Sequence, residues 1–323
     1  MRRTLLPWVV AFGIAVLGAV GTVATLNATL FGPGAFVQVY LDALARGDAS
    51  DALSLPGVDA GGRAAGASTA LLRDGALAGL SDIHQTGDES RAGDRWITFD
   101  WTSPHGSGTT TFQVKRIGTR FGLFPEWGFA VSPVATVSLA VEHDPHFTVN
   151  GAAEVSATTS NAPSDYAVLV PGSYTFAHGS RYLTATPRLV LADTVGQNLS
   201  VQVDIQANAR FVAAVDARLR AQLTACAKQT VLFPTGCPFG QAIDNRVSSA
   251  PAWSIVSYPT TRIEPGAEFG SWVVPGVAGT AHLRVSVTSL YDGKVTTFDQ
   301  DVPFQLRARL AFGADGSITV DLR

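Results

Sequence analysis

The densest cluster of ligand-forming side chains in this chain is His143-Asp144-Pro145-His146. Two imidazoles and a carboxylate this close together are donors that suit a transition-metal ion. The same residues also describe a turn, because Asp-Pro commonly marks a connection between strands and its neighbours are then solvated. We favour the turn, and His178 is interpreted in the same way. The sequence therefore predicts no metal site and no cofactor.

A second set of candidates consists of carboxylates around an aromatic strand, where a pair can perform general acid–base catalysis. Asp100 lies between two aromatic residues and is expected to face away from them, whereas Asp88, Glu89 and Asp94 are predicted to lie in a solvated hairpin loop. No nucleophile elbow, P-loop, zinc-protease or dinucleotide motif occurs. We therefore predict no catalytic residues. The enzymatic alternative is a hydrolase or isomerase that uses Asp100 or His84 in a cone-shaped pocket.

Four aromatic residues are candidates for a ligand pocket between a helix and a sheet: Tyr40, Trp96, Trp101 and Trp127. Aromatic walls suit sugars or apolar ligands. The competing interpretation is that these side chains fill a hydrophobic core, which is the commoner role of large aromatic residues.

The chain contains two cysteines, Cys226 and Cys237. A close pair in an oxidising compartment is most simply a disulfide. Two separate thiols or half of a zinc site are the alternatives, but no further His or Cys lies near enough in sequence to complete a metal site.

The N-terminal sequence predicts where these residues reside. Arg2 and Arg3 precede an uncharged apolar run over residues 7–26, about the 20 residues needed to cross a bilayer as a helix. No basic residue follows until Arg46, which predicts a cytoplasmic N-terminus and an extracellular C-terminal bulk in a single-pass protein of the cell membrane. Residues 1–30 are the predicted anchor. The length of the run favours an anchor over a cleaved signal, although small-x-small sites within it keep that alternative open.

Composition narrows the class of protein further. Of 323 residues, 15% are charged, and 32 are Gly and 17 Pro, which is typical of a β-rich extracytoplasmic protein with many turns. The net charge is −3 without a basic patch, so no nucleic-acid partner is expected. Lys115, Lys228 and Lys294 are the sole lysines among 23 basic residues, a bias associated with GC-rich bacterial genomes.

Periodicity predicts an α+β protein with three modules after the anchor. In residues 31–130, helices over 34–47, 48–54 and 67–79 precede strands over 95–101, 109–115 and 120–124.

Residues 131–206 read as a small β-sandwich, with turns at Asn150-Gly151 and Pro171-Gly172. Residues 207–323 combine a helix over 207–228 with a meander that includes hairpins at Asp292-Gly293 and Asp315-Gly316.

Several short stretches carry a resemblance to a known family. Phe36–Asp48 (FVQVYLDALARGD), with a meander that ends in Phe124-Pro125-Glu126-Trp127, resembles the small NTF2-like domains found just outside bacterial membranes. Val149-Asn150-Gly151, together with VLVPGSY over 168–174, resembles a β-module that follows such domains in the TcaA-like proteins of Gram-positive bacteria. This chain differs from that family because it has no Cys before Cys226, and hence no cytoplasmic zinc ribbon.

The resemblance implies a role in sensing or tolerating cell-wall stress, and it supplies no catalytic motif. We therefore expect a non-catalytic interaction or sensor protein of the bacterial envelope, held in the bilayer by residues 7–26. Its expected partners are cell-wall polymer or another membrane protein. The alternative is a secreted or anchored ligand-binding protein, or a pocket enzyme, built on an NTF2-like cone.

Overall fold

The computed structural model describes residues 6–59, 61, 66–313 and 316–322, without the side chains of residues 6, 7, 9, 10, 23, 24 and 28. The fold is α+β, as predicted, and its strands form three antiparallel or mixed sheets. The hairpin predicted at Asp315-Gly316 includes a residue outside the described part of the chain.

The chain begins with helix α1, Leu6–Thr29, whose 24 residues include no charged side chain. Within the described residues, no helix combines the length and apolar character that crossing a membrane requires. Two shorter helices follow, α2 at Pro33–Ala45 and α3 at Ala49–Ser54.

Helices α2 and α3 form where the sequence predicts helices over 34–47 and 48–54. Gly47 follows α2 with a φ of 72°, a left-handed conformation that glycine adopts without steric cost. Asp48 caps α3 by accepting a hydrogen bond from the Asp51 N–H at 2.9 Å. That hydrogen bond, together with one from Ser50, lowers the pKa of the Asp48 carboxyl.

The first sheet is an antiparallel meander in sequence order: β1 Ser81–Arg91, β2 Asp94–Ser103, β3 Gly106–Arg120 and β4 Phe124–Phe129. Helix α2 packs Val37, Tyr40 and Leu41 against one face of this sheet, where they share a core with Phe99 and Phe112. The helix–sheet interior is therefore filled by apolar side chains.

Three local predictions in this region are wrong. The segment 67–79 is not a helix but an irregular connection with one 3₁₀ turn at Asp74–Ala76. Asp88 and Glu89 lie in strand β1 rather than in a loop, and Asp94 begins β2. Residues 120–124 are not a separate strand, because β3 ends at Arg120, residues 121–123 form a turn and β4 begins at Phe124.

The second sheet has seven strands in the order β7-β6-β9-β10-β11-β5-β8. Their bounds are β5 Val134–Glu142, β6 His146–Val149, β7 Ala152–Val155, β8 Ser164–Leu169, β9 Gly172–Gly179, β10 Leu183–Ala192 and β11 Asn198–Ala207. Strand β11 joins the two halves of this sheet, because its first part pairs in parallel with β5 and its end pairs antiparallel with β10. The Asn150-Gly151 turn connects β6 and β7 as predicted.

Helix α4, Ala209–Ala227, follows β11 and precedes the third sheet. Asn208 caps α4 by accepting from the N–H groups of Arg210 and Phe211. The strands of this sheet are β12 Arg246–Val247, β13 Ala252–Ser257, β14 Glu264–Pro265, β15 Trp272–Thr288, β16 Val295–Phe312 and β17 Ile318–Leu322. Strand β15 pairs with β16 along one edge and with β12, β13 and β14 along the other.

The second and third sheets share one hydrophobic core. It contains Phe176 of β9, Phe211 of α4 and Trp272 of β15. The first sheet keeps its own core, into which Val134 and Leu169 of the second sheet also insert. Tyr40 connects these regions, since its buried hydroxyl lies 2.8 Å from the Val170 carbonyl oxygen.

Candidate binding groove

A groove of about 340 Å³ lies where the outer face of the first sheet meets the loop between β10 and β11. Aromatic, hydroxyl, amide and carboxylate side chains line it: Trp96, Thr109, Thr111, Gln113, Val131, Asp193, Thr194 and Val195.

Strand alternation places one wall of the groove. In β2 the side chains of Ile97 and Phe99 are buried against α2, so Trp96 faces the opposite side and is half-buried. In β3, Thr111 and Gln113 alternate with buried residues in the same way. Because successive side chains of a strand point to opposite faces, the groove wall is the face that α2 leaves uncovered.

Hydrogen bonds between neighbouring strands fix the polar side chains on this outer face of the first sheet. Trp96 lies directly across from Gln113, and Thr98 from Thr111. The Thr98 and Thr111 hydroxyl oxygens are 2.9 Å apart, and Gln113 donates to Asp94 Oδ2 at 2.7 Å.

The second wall comes from the β10–β11 loop. Thr110 donates its hydroxyl proton to the Asp193 carbonyl oxygen at 2.6 Å, and Trp101 Nε1 donates to Thr110 at 2.9 Å. Val195 packs against the cores of both the first and the second sheet. The loop is therefore fixed to both sheets, and the groove is preformed.

The charge in the groove is small and negative. Among the described lining residues, Asp193 is the one ionisable group, and its Oδ1 accepts from the Thr194 hydroxyl at 2.9 Å. The Arg91 guanidinium carbon lies 5.9 Å from the centre of the Trp96 ring, within range of a cation–π interaction. An aromatic surface beside several neutral hydrogen-bonding groups is thus the main chemical feature of the site.

The structure separates the four aromatic residues predicted to line a pocket. Trp96 lines the groove, but Tyr40 is fully buried in the first core. Burial, together with the neighbouring Tyr174, raises the pKa of Tyr40 well above its ordinary value, so it remains a neutral donor. Trp101 is buried and supports Thr110, whereas Trp127 donates its Nε1 proton to the Phe31 carbonyl oxygen at 2.9 Å.

The groove residues on the β10–β11 loop were missed by sequence reasoning. Asp193 lies 83 residues from Thr110, the side chain that holds it. No local pattern connects positions so far apart. A signal was present in β3, where hydroxyl or amide residues occur at every second position, Thr109, Thr111 and Gln113.

His84 and Asp100 lie directly across from each other on β1 and β2. Both belong to the outer face of the first sheet, where His84 is exposed and Asp100 half-buried. Together with Asp82 they border a second depression of about 320 Å³. Asp100 Oδ1 accepts from the Thr109 hydroxyl at 2.6 Å.

The two histidines of the His143-Asp144-Pro145-His146 segment have different partners. Asp144 Oδ1 lies 2.8 Å from both the backbone nitrogen and Nδ1 of His146, as expected of a turn. His143 Nε2 lies 3.6 Å from Asp204 Oδ1 instead. Glu142, His143 and Asp204 each offer a ligand atom within 4.8 Å of the others, but all three are partly or fully exposed, and exposed acidic clusters are common without an ion.

His178 is buried rather than solvated, contrary to the interpretation of its sequence context. Its Nδ1 lies 2.7 Å from the His146 carbonyl oxygen, and its Nε2 lies 3.3 Å from the Ser180 hydroxyl. The first contact connects β9 to β6, next to the edge strand β7, and the second joins the ring to Ser180, which follows β9. Both indicate a structural role for the ring.

The predicted disulfide is confirmed: Cys226 and Cys237 are bonded, with their Cα atoms 5.8 Å apart. It connects the buried stripe of α4 to the loop that follows.

Comparison of the chain with protein-family models, with characterised proteins and with solved structures finds no match.

Proposed function

We propose that this protein is a single-pass, membrane-anchored binding protein of the bacterial envelope, and that the groove beside Trp96 binds a neutral glycan of the cell wall. The observation that carries the proposal is the preformed groove, in which a half-buried indole lies beside hydroxyl and amide groups.

The chemistry of the groove favours an uncharged polyhydroxylated ligand. The indole offers an apolar surface, and Thr109, Thr111 and Gln113 offer donors and acceptors for ligand hydroxyl groups. The Asp193 carboxylate disfavours phosphate-rich polymers, because like charges repel. A glycan strand matches this combination better than an anionic polymer does.

Membrane anchoring is proposed from the sequence of α1 and of the residues that precede it, because no described helix by itself meets the requirements of a span. The 24 residues of α1 carry no charge, and Trp8, Phe12 and Leu17 are more than 70% exposed. Such side chains are stable in lipid rather than in water. Arg2 and Arg3 precede the helix, which favours a cytoplasmic N-terminus and residues 31–323 outside.

The predicted NTF2-like relationship of residues 31–130 stays a proposal. It is supported by α2, which packs on a four-stranded antiparallel meander. A ligand-binding cone between helix and sheet is disfavoured, since Tyr40, Phe99 and Phe112 occupy that space. The proposed ligand therefore binds on the opposite face of the sheet.

Co-sedimentation of the full chain in detergent with purified, insoluble peptidoglycan tests the binding role. We expect wild-type protein to sediment with the polymer and Trp96→Ala to weaken binding at least tenfold, about 1.4 kcal/mol. Tyr291→Ala is the matched control, because Tyr291 is a fully exposed aromatic residue in the turn between β15 and β16. Equal sedimentation of Trp96→Ala and wild type would refute the groove, and wild type left in the supernatant would refute glycan binding.

The same preparation distinguishes the alternatives. Specific retention of another membrane protein, without affinity for polymer, would favour an accessory subunit. Resistance of the protein to carbonate extraction from membranes tests the anchor separately, and release by carbonate would favour a secreted protein.

A further inference from the structure

The turn between β3 and β4 exposes apolar side chains that the fold does not use. Phe121 is 85% exposed and Leu123 57% exposed. Ile117, which precedes them on β3, is 50% exposed. Burying such side chains is favourable by about 1.5–3 kcal/mol each, so their clustering at one tip indicates a surface that another phase or molecule covers.

The backbone of this turn makes the choice of Phe121 notable. Phe121 and Gly122 have φ angles of 53° and 70°, and the Leu123 N–H donates to the Arg120 carbonyl oxygen at 3.2 Å. Two left-handed central residues closed by such a hydrogen bond make a type I′ turn. Asn, Asp or Gly is favoured at the first of these positions, and a bulky aromatic residue is disfavoured. The Phe121 side chain therefore does not stabilise the turn, and because it is 85% exposed it packs against little of the protein.

Contacts hold this tip against the C-terminal end of α1. Asn27 Nδ2 donates to the Leu123 carbonyl oxygen at 3.1 Å. The rings of Phe31 and Phe124 lie with their centroids 4.4 Å apart. The Trp127 hydrogen bond to Phe31 adds a third connection.

The same hairpin is basic. Lys115, Arg116 and Arg120 are exposed, and none of them forms an ion pair with the described residues. Glu126 is the one acidic residue in the sequence from 115 to 128. Aromatic and aliphatic side chains flanked by unpaired cations are typical of segments that lie in the interface of an anionic membrane.

We propose that the β3–β4 hairpin inserts its tip, Phe121 and Leu123, into the interfacial layer of an anionic bilayer where α1 leaves it, with the three cations at the headgroups. This inference rests on the proposed anchoring of α1. The apolar run over residues 7–26 is about the length that crosses a bilayer as a helix, so in the proposed anchor the C-terminal end of α1 lies at the interface. The hairpin would add a second membrane contact and hold the first sheet at the bilayer surface.

The test uses the full chain reconstituted in vesicles of phosphatidylcholine and phosphatidylglycerol. Phe121→Cys provides a thiol for an environment-sensitive fluorophore under non-reducing conditions, since Cys226 and Cys237 are bonded to each other. Tyr291→Cys is the matched control at another exposed hairpin. We expect a blue-shifted emission and at least twofold stronger quenching by doxyl-labelled lipids for the probe at 121 than for the probe at 291.

Charge reversal provides a second readout. The triple variant Lys115→Glu, Arg116→Glu, Arg120→Glu is expected to reduce the quenching of the probe at 121 at least twofold, while the probe at 291 stays unchanged. Water-like, unquenched emission at 121 in protein that floats with the vesicles would overturn the inference and leave the anchor intact. A blue shift without lipid quenching would assign the tip to a protein contact and also overturn it. Protein that fails to float would refute the anchor itself.

Discussion

His282 on β15 is held between two carboxylates of the neighbouring strand β16. Its Nε2 lies 2.7 Å from Asp299 Oδ1, and its Nδ1 lies 2.8 Å from Asp301 Oδ1. Both ring nitrogens can donate at once only in the imidazolium form. The hydrogen bond to Asp301 is the main cause that raises the pKa of His282 above 6.5, and Asp299 adds to it.

This raised pKa predicts a pH-dependent stability. The contribution of the cluster is complete below pH 6.5, where the unfolded chain is also protonated, and it is lost as pH rises through the folded-state pKa. We expect an NMR titration of the His282 ring to give a pKa above 6.5, and the double variant Asp299→Asn, Asp301→Asn to lower it. A His282 pKa that this variant leaves unchanged would contradict the prediction.

The direction of individual side chains was predictable where strand alternation alone decided it. Asp100 was correctly expected to face away from Phe99 and Trp101, both of which are buried. Trp96 was predicted to line a pocket between the helix and the sheet, but it lies on the opposite face of the sheet, in the groove. The partners Asp193 and Val195 reach the groove through tertiary contacts. Position along the chain carries no information about such contacts.

At the scale of elements, the disulfide closes a loop after α4. Cys226 and Cys237 are separated by 11 residues, and closing a loop of this length stabilises the folded state by about 3 kcal/mol in the chain-entropy description. We therefore expect the reduced wild-type protein to have a lower free energy of unfolding than the oxidised protein, by about 3 kcal/mol. Comparison of denaturant midpoints measures this without changing the buried packing of Cys226.

The loop itself gives an independent readout of the same bond. Lys228 is exposed within it and is followed by Gln229, so reduction is expected to speed tryptic cleavage there. Lys294 in the β15–β16 hairpin, which no disulfide constrains, is the internal control and should be cleaved at the same rate in both forms. Equal midpoints and equal cleavage at Lys228 in the two forms would show that the bond adds little.

Elements were predictable when their own residues carried the signal. Helical periodicity was sufficient to identify α2 and α4. Strand β1 was missed because it is polar and largely exposed, with no alternation to detect. The helix predicted over 67–79 does not form, since Ser68 instead pairs with Tyr166 of β8.

At the scale of the whole molecule, α4 couples the second and third sheets. The Phe211 ring lies 5.6 Å from that of Tyr182 and 6.1 Å from that of Trp272, measured between centroids. Tyr182 also stacks on Phe312 of β16 at 5.9 Å. The modules predicted over residues 131–206 and 207–323 thus contribute side chains to one continuous core.

The shared core predicts that these two sheets unfold together. Phe211 is fully buried, and Phe211→Ala is expected to cost about 3–5 kcal/mol. Hydrogen exchange of the full chain should then speed up to a similar extent in β9 of the second sheet and in β15 of the third. Phe112→Ala is the matched control, because Phe112 is equally large and buried but belongs to the first core. It should accelerate exchange chiefly in β2 and β3. If exchange in Phe211→Ala were faster only in the third sheet, residues 207–323 would be an independently stable domain. Loss of a side chain from a core that both sheets share must destabilise both sheets.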